Sequence, residues 1–157
     1  KVTRRDWGNE PSAKAEAESG GEGRLVVVLC GPPGAGKTTA ARASGLDVYD
    51  RDDYSGEQEF SAALDAVRSD ESARAVVIRW APSSKDRARI VEQVAATHCY
   101  LVTTDPATLR RRIVRRGRSD ATQTLAGLAT WQVAHDRADM VQPFPGWPAV
   151  LGARRDW

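Results

Sequence analysis

A chain of 157 residues with 41% hydrophobic and 28% charged residues has the composition of one folded domain, which excludes a disordered polymer and a two-domain enzyme. Its net charge of +2 is an uneven sum, because residues 105–118 hold six arginines against Asp105, a local +5 that leaves 2 − 5 = −3 for the rest. That excludes a protein coated in basic charge and points to one anion-facing element on a mildly acidic body.

In chain order, Lys1 stands where an initiator methionine would, and residues 8–23 are rich in Gly, Ser and Glu without apolar periodicity. The expectation is a flexible tail or linker over 1–23, on a chain trimmed or cut from a longer polypeptide, ahead of a domain over 24–157. Arg-Arg-Asp-Trp occurs at 4–7 and again at 154–157, either by coincidence or as a docking tag. The run 25–30 (LVVVLC) reads as a strand buried on both faces and is far too short to span a bilayer, so no membrane partner is expected. A helix follows over about 37–44, ended by Gly45, then a short strand at 47–50. Phe60, Leu64 and Val67 make one face of a helix over 57–69. A strand at 75–80, a helix over 85–97 with Ile90, Val91 and Val94 as its stripe, and a strand at 99–103 come next. Pro106 begins a helix that runs to Gly117, and 122–140 reads as another helix. PFPGWP then ends regular structure, with Trp131, Phe144 and Trp147 as packing groups and His135 on the helix surface. Alternating strands and helices imply an α/β fold: a parallel sheet of about four to five strands with helices on both faces and ligands at the carboxyl ends of the strands. Cys30 and Cys99 lie in separate apolar runs and read as buried reduced thiols of a cytosolic protein.

Gly31-Pro32-Pro33-Gly34-Ala35-Gly36-Lys37-Thr38 matches GxxxxGK[ST] between a buried strand and a helix. In such a loop, successive backbone N–H groups wrap a β-phosphate and the helix N-terminus adds partial positive charge. Lys37 is expected on the β- and γ-phosphates, the Thr38 hydroxyl on Mg²⁺, and Thr39 beside them. The implied cofactors are ATP or GTP with Mg²⁺. About 120 residues follow Lys37, too few for a helicase core and suited to a small kinase.

Asp50-Arg51-Asp52-Asp53-Tyr54 sits at the carboxyl end of the second strand, where a kinase needs a carboxylate to take the proton of the attacking hydroxyl. If strand geometry continues past Asp50, then Asp50 and Asp52 face one way while Arg51 and Asp53 face the other. Asp53 reads as a helix cap or a surface partner of Arg51. The combination of GPPGAGKT with DRDDY, whose Asp50 follows Thr38 by twelve positions, resembles the phage polynucleotide 5′-kinase family of P-loop kinases. The resemblance covers residues 25 to about 120. It implies that Asp52 is the general base acting on a 5′-hydroxyl. It also implies an arginine after the tyrosine to hold the acceptor phosphate, but that position is Ser55. Arg51 and Arg79 are the candidate substitutes.

Leu109 to Gly117 (LRRRIVRRG) carries an apolar stripe of Leu109 and Ile113, extended by Val114. Arg112 and Arg116, four apart, share a helix face; Arg115 lies near it, and Arg110, Arg111 and Arg118 read as a solvated face. The segment is similar to the lid of small P-loop kinases, which implies that Arg112 and Arg116 close over the β- and γ-phosphates. At the end of the third strand, Arg79 is a candidate for an acceptor phosphate, and Trp80 either stacks on a base or packs in the core. With no Walker B aspartate visible, Mg²⁺ falls to Thr38, phosphate and water, with support from Asp50.

These residues imply a phosphotransferase that moves a γ-phosphoryl group to a hydroxyl, foremost the 5′-hydroxyl of a polynucleotide. The alternatives are a kinase for a nucleotide, a modified DNA base or a small metabolite, and a nucleotide-binding module of a larger nucleic-acid-processing protein. The family resemblance places the expected work in a bacterial cytoplasm.

Overall fold

The computed structural model describes residues 23–117 and 119–152. The proposed tail up to residue 22, Arg118 as a solvated residue, and both Arg-Arg-Asp-Trp segments therefore lie outside the described residues. Strand β1 (Leu25–Cys30) is followed by α1 (Lys37–Arg42), β2 (Asp47–Asp50) and a 3₁₀ turn (Arg51–Asp53). Then come α2 (Glu57–Ser69), β3 (Arg74–Arg79), α3 (Ser84–Val94), β4 (His98–Leu101), α4 (Pro106–Arg116), α5 (Ala121–Ala134), β5 (Gln142–Pro143) and α6 (Trp147–Leu151).

The strands form one sheet in the order β2-β3-β1-β4-β5, and every pairing is parallel. Alternate residues of β1 feed opposite faces, as the two-residue period of a strand requires. Val26, Val28 and Cys30 pack under α2 and α3 with Phe60, Leu64, Ile90 and Val94. Leu25, Val27 and Leu29 pack under α1 and α6 with Ala41, Trp147 and Val150. Leu109, Ile113 and Leu128 make a smaller cluster that fastens α4 and α5 to Ala35 of the glycine-rich loop.

The helix ends have local causes. Ser83 caps α3 through a reciprocal bond with Asp86, and Ala95 turns left-handed at φ 51° to end it before residue 97. Asp105 caps α4 by accepting from Thr108 N–H, Pro106 fills the first turn, and Gly117 ends it at φ 64°. Arg24 donates to the carbonyls of Val67, Asp70, Val94 and Ala95, so one guanidinium ties off the last turns of α2 and α3.

Four expectations change. The helix expected over 122–140 stops at Ala134, because His135 stacks on Trp131 and the following turn is pulled onto α3. Asp136 accepts from Ser84 N–H, and Asp139 receives Arg87 in a two-point ion pair. His135 is accordingly a packed residue, with Nδ1 3.0 Å from the Pro82 oxygen. The PFPGWP segment is not the end of regular structure: β5 adds a fifth strand at the sheet edge, and Trp147 opens α6 with its indole N–H on the Ala40 oxygen at 2.7 Å. Val114 leaves the apolar stripe of α4 and is exposed.

Candidate active site

The glycine-rich loop leaves the carboxyl end of β1, at the centre of the sheet. Gly31 has no room for a side chain, because a Cβ there would overlap the Val102 carbonyl after β4. Gly34 lies against α4, where a Cβ would sit 3.2 Å from Ile113. Lys37 is buried and folded back on the loop, donating to the oxygens of Gly31 at 2.6 Å and Pro32 at 2.9 Å. Burial pulls its ammonium down to about 8, against the opposing pull of Cys30 and Asp50. The thiols of Cys30 and Cys99, distant in sequence, lie 3.8 Å apart beneath this loop; both are buried and unbridged.

The Thr38 hydroxyl donates to Asp50 at 3.3 Å, and the other oxygen of that carboxylate accepts Asp52 N–H at 3.1 Å. The strand does not continue past Asp50. The chain turns into 3₁₀ geometry because Asp50 caps it, so Asp50 and Asp52 do not share a strand face. Arg51 pairs with Glu57 at 2.9 Å rather than with Asp53, and its guanidinium also reaches the Tyr54 oxygen at 3.3 Å. Arg79 lies over the Phe60 ring and approaches the same Glu57 at 3.9 Å.

A cleft of about 810 Å³ brings Pro33 to Thr39 together with Asp50, Arg51, Asp52, Arg79, Trp80 and Arg116. A second cleft of about 750 Å³ adjoins the same loop. It is lined by Gly34, Ala35, Gly36, Thr39, Arg112, Arg115 and Arg116. Arg116 borders both clefts, and Arg112 donates to the Gly34 oxygen at 3.1 Å. Pro32 is buried behind the loop and contributes its oxygen to Lys37. Trp80 is 46% exposed, so its side chain does not pack in the core.

Sequence reasoning missed Glu57, Asp86, Arg89, Gln93, Asp120 and Thr124 on the walls of the larger cleft. The signal for Asp86 and Arg89 was the Ser83 capping box, which starts a helix at the carboxyl end of β3, where ligands bind. Nothing local marks Asp120 and Thr124, which arrive from α5 through tertiary packing. Among the described residues, no helix is long and apolar enough to cross a membrane.

The sequence matches no protein-family model and no curated protein. Solved structures do match. An unliganded sugar kinase from Janibacter sp. HTCC2649 is similar with a TM-score of 0.51 and 19% identity, over 67% of this chain and 78% of that one. A gluconokinase from Sinorhizobium meliloti 1021 is similar with a TM-score of 0.50 and 19% identity, over 76% of this chain and 80% of that one. The chain thus has the parallel α/β fold of the P-loop kinases.

Proposed function

We propose that the protein is an ATP- or GTP-dependent phosphotransferase whose acceptor is a hydroxyl, foremost the 5′-hydroxyl end of a polynucleotide. The observation that carries this reading is convergence: Lys37, Asp52 and Arg116 border one cleft. In the mechanism, the loop N–H groups and Lys37 hold the β- and γ-phosphates. Asp52, exposed in the cleft, takes the proton of the acceptor hydroxyl as its oxygen bonds to the γ-phosphorus. The bond from that phosphorus to the bridging oxygen breaks, and the nucleoside diphosphate leaves. Arg112 and Arg116 offset charge that develops in the transition state, so they act on rate more than on affinity.

The Thr38 hydroxyl and Asp50 carboxylate are hard oxygen donors 3.3 Å apart. They suit Mg²⁺, which takes one or two protein oxygens and completes its shell with phosphate and water. Held by Thr38 and Asp50, Mg²⁺ would supply positive charge that offsets the charge of the phosphates.

A kinase of the same fold acting on a small hydroxylated molecule is the second reading. Ser55, standing where the polynucleotide 5′-kinase resemblance implies an arginine, favours it, and the solved structures of like fold include a sugar kinase and a gluconokinase. Incubation with Mg²⁺, γ-labelled ATP, and single-stranded or duplex 5′-hydroxyl oligonucleotides tests the first reading. Label on the 5′ end is the expected result. Label on a sugar or nucleotide from an acceptor panel, with none on the oligonucleotide, would establish the second.

A further inference from the structure

Trp80 is the one aromatic residue among the exposed large hydrophobic residues described, and it opens into the larger cleft beside Lys37 and Asp52. Its backbone is held firmly: its carbonyl accepts from Gly31 N–H at 3.2 Å and from the Trp131 indole N–H at 2.7 Å. Its ring position depends on a missing side chain. A Cβ on Gly127 of α5 would come within 2.6 Å of the Trp80 ring, closer than carbon atoms tolerate. The Trp80 backbone is thus tied to the first residue of the phosphate loop, and its half-exposed indole is open to whatever fills the cleft.

The charges around it argue for a grip by stacking. Arg51 and Arg79 share Glu57, and Arg89 is paired with Asp86 at 3.1 Å. An acceptor held by charge alone would have to displace these carboxylates. A π face suffers no such competition, and stacking on it is worth roughly a factor of ten or more per base. The cleft volume of about 810 Å³ lies in the range that takes a whole drug-sized ligand.

We infer that the open face of Trp80 is the subsite for the terminal nucleobase of the acceptor, and that Gly127 positions it. The identity of the acceptor as a nucleic-acid end rests on the phosphotransferase reading above; the stacking subsite itself is tested by binding.

The test uses a 3′-labelled 5′-hydroxyl trinucleotide and the same probe with its first base removed, measured by fluorescence anisotropy on the ADP-saturated full chain. Wild type should bind the base-bearing probe roughly tenfold more tightly than the abasic one. Trp80→Leu should erase that difference, Trp80→Phe should keep most of it, and Gly127→Ala should reduce it. ADP affinity should be the same in all four proteins, which reports intact folding. Equal binding of the two probes by wild type, as expected if the ring serves only a sugar, would overturn the inference. So would a base preference that survives in Trp80→Leu. Base preference without transfer of γ-label to the 5′ end would leave the subsite standing and refute the 5′-hydroxyl as the phosphoryl acceptor. Transfer without base preference would do the reverse.

Discussion

Thr38 and Asp50 are joined by a hydroxyl-to-carboxylate hydrogen bond of 3.3 Å, and the same carboxylate caps the turn that carries Asp52. One side chain therefore couples the expected cation ligand to the expected base. Asp50→Asn keeps an oxygen for the Asp52 N–H but loses the charge. The Mg²⁺ concentration that half-saturates transfer should rise about 10- to 100-fold in this variant. A titration of initial rate against Mg²⁺ at saturating nucleotide measures it; an unchanged midpoint would assign Asp50 to structure alone.

The buried Lys37 makes nucleotide binding depend on pH. Its pKa in the free protein is about 8, and bound phosphate favours the charged form. Binding should therefore take up protons near pH 8, and affinity should fall roughly tenfold from pH 7.5 to 9. Calorimetry in two buffers of different ionisation enthalpy reads both quantities. For folding the sign is separate. The unfolded lysine holds its proton up to about 10.5, so between about 8 and 10.5 the unfolded state binds more protons, and this group raises stability as pH rises.

Arg116 borders both clefts, while Arg112 is already bonded to the Gly34 oxygen. Arg116→Ala should lower the single-turnover transfer rate on the order of 10³-fold and change nucleotide Kd little. Rapid-quench measurements of labelled product check the first part. A matching loss of affinity would make Arg116 a ground-state binding residue instead.

One buried arginine and one half-buried arginine hold the scaffold. Arg87 is fully buried and gives two bonds to Asp139, so Asp139→Ala should cost about 3–5 kcal/mol by stranding a charge. Arg24 serves four helix-terminal carbonyls, and Arg24→Ala should cost about 2 kcal/mol, with Arg24→Lys recovering only part. Urea unfolding monitored by circular dichroism measures both.

The pattern of LVVVLC followed by GPPGAGKT was legible because a doubly buried strand and a phosphate loop each have a local physical signature. The helices at 57–69 and 106–116 were legible from apolar spacing and from Pro106. What could not be read was set by contacts distant in sequence. α5 ends at Ala134 because Pro82, Ser84 and Arg87 claim the turn after it, and β5 exists because β4 offers it an edge. The turn at Arg51–Asp53 overrode strand periodicity through a two-residue side-chain cap. Glu57 and Gly127 carried no signal of their own, since their roles depend on Arg51, Arg79 and Trp80 arriving from elsewhere.

The most direct test of phosphoryl transfer through Asp52 compares wild type with Asp52→Asn, using γ-labelled ATP and a 5′-hydroxyl oligonucleotide, with nucleotide Kd measured on the same preparations. The expected result is label on the 5′ end with wild type, none with Asp52→Asn, and equal nucleotide affinity in both. Undiminished transfer by Asp52→Asn, or loss of nucleotide binding along with activity, would contradict Asp52 as the base.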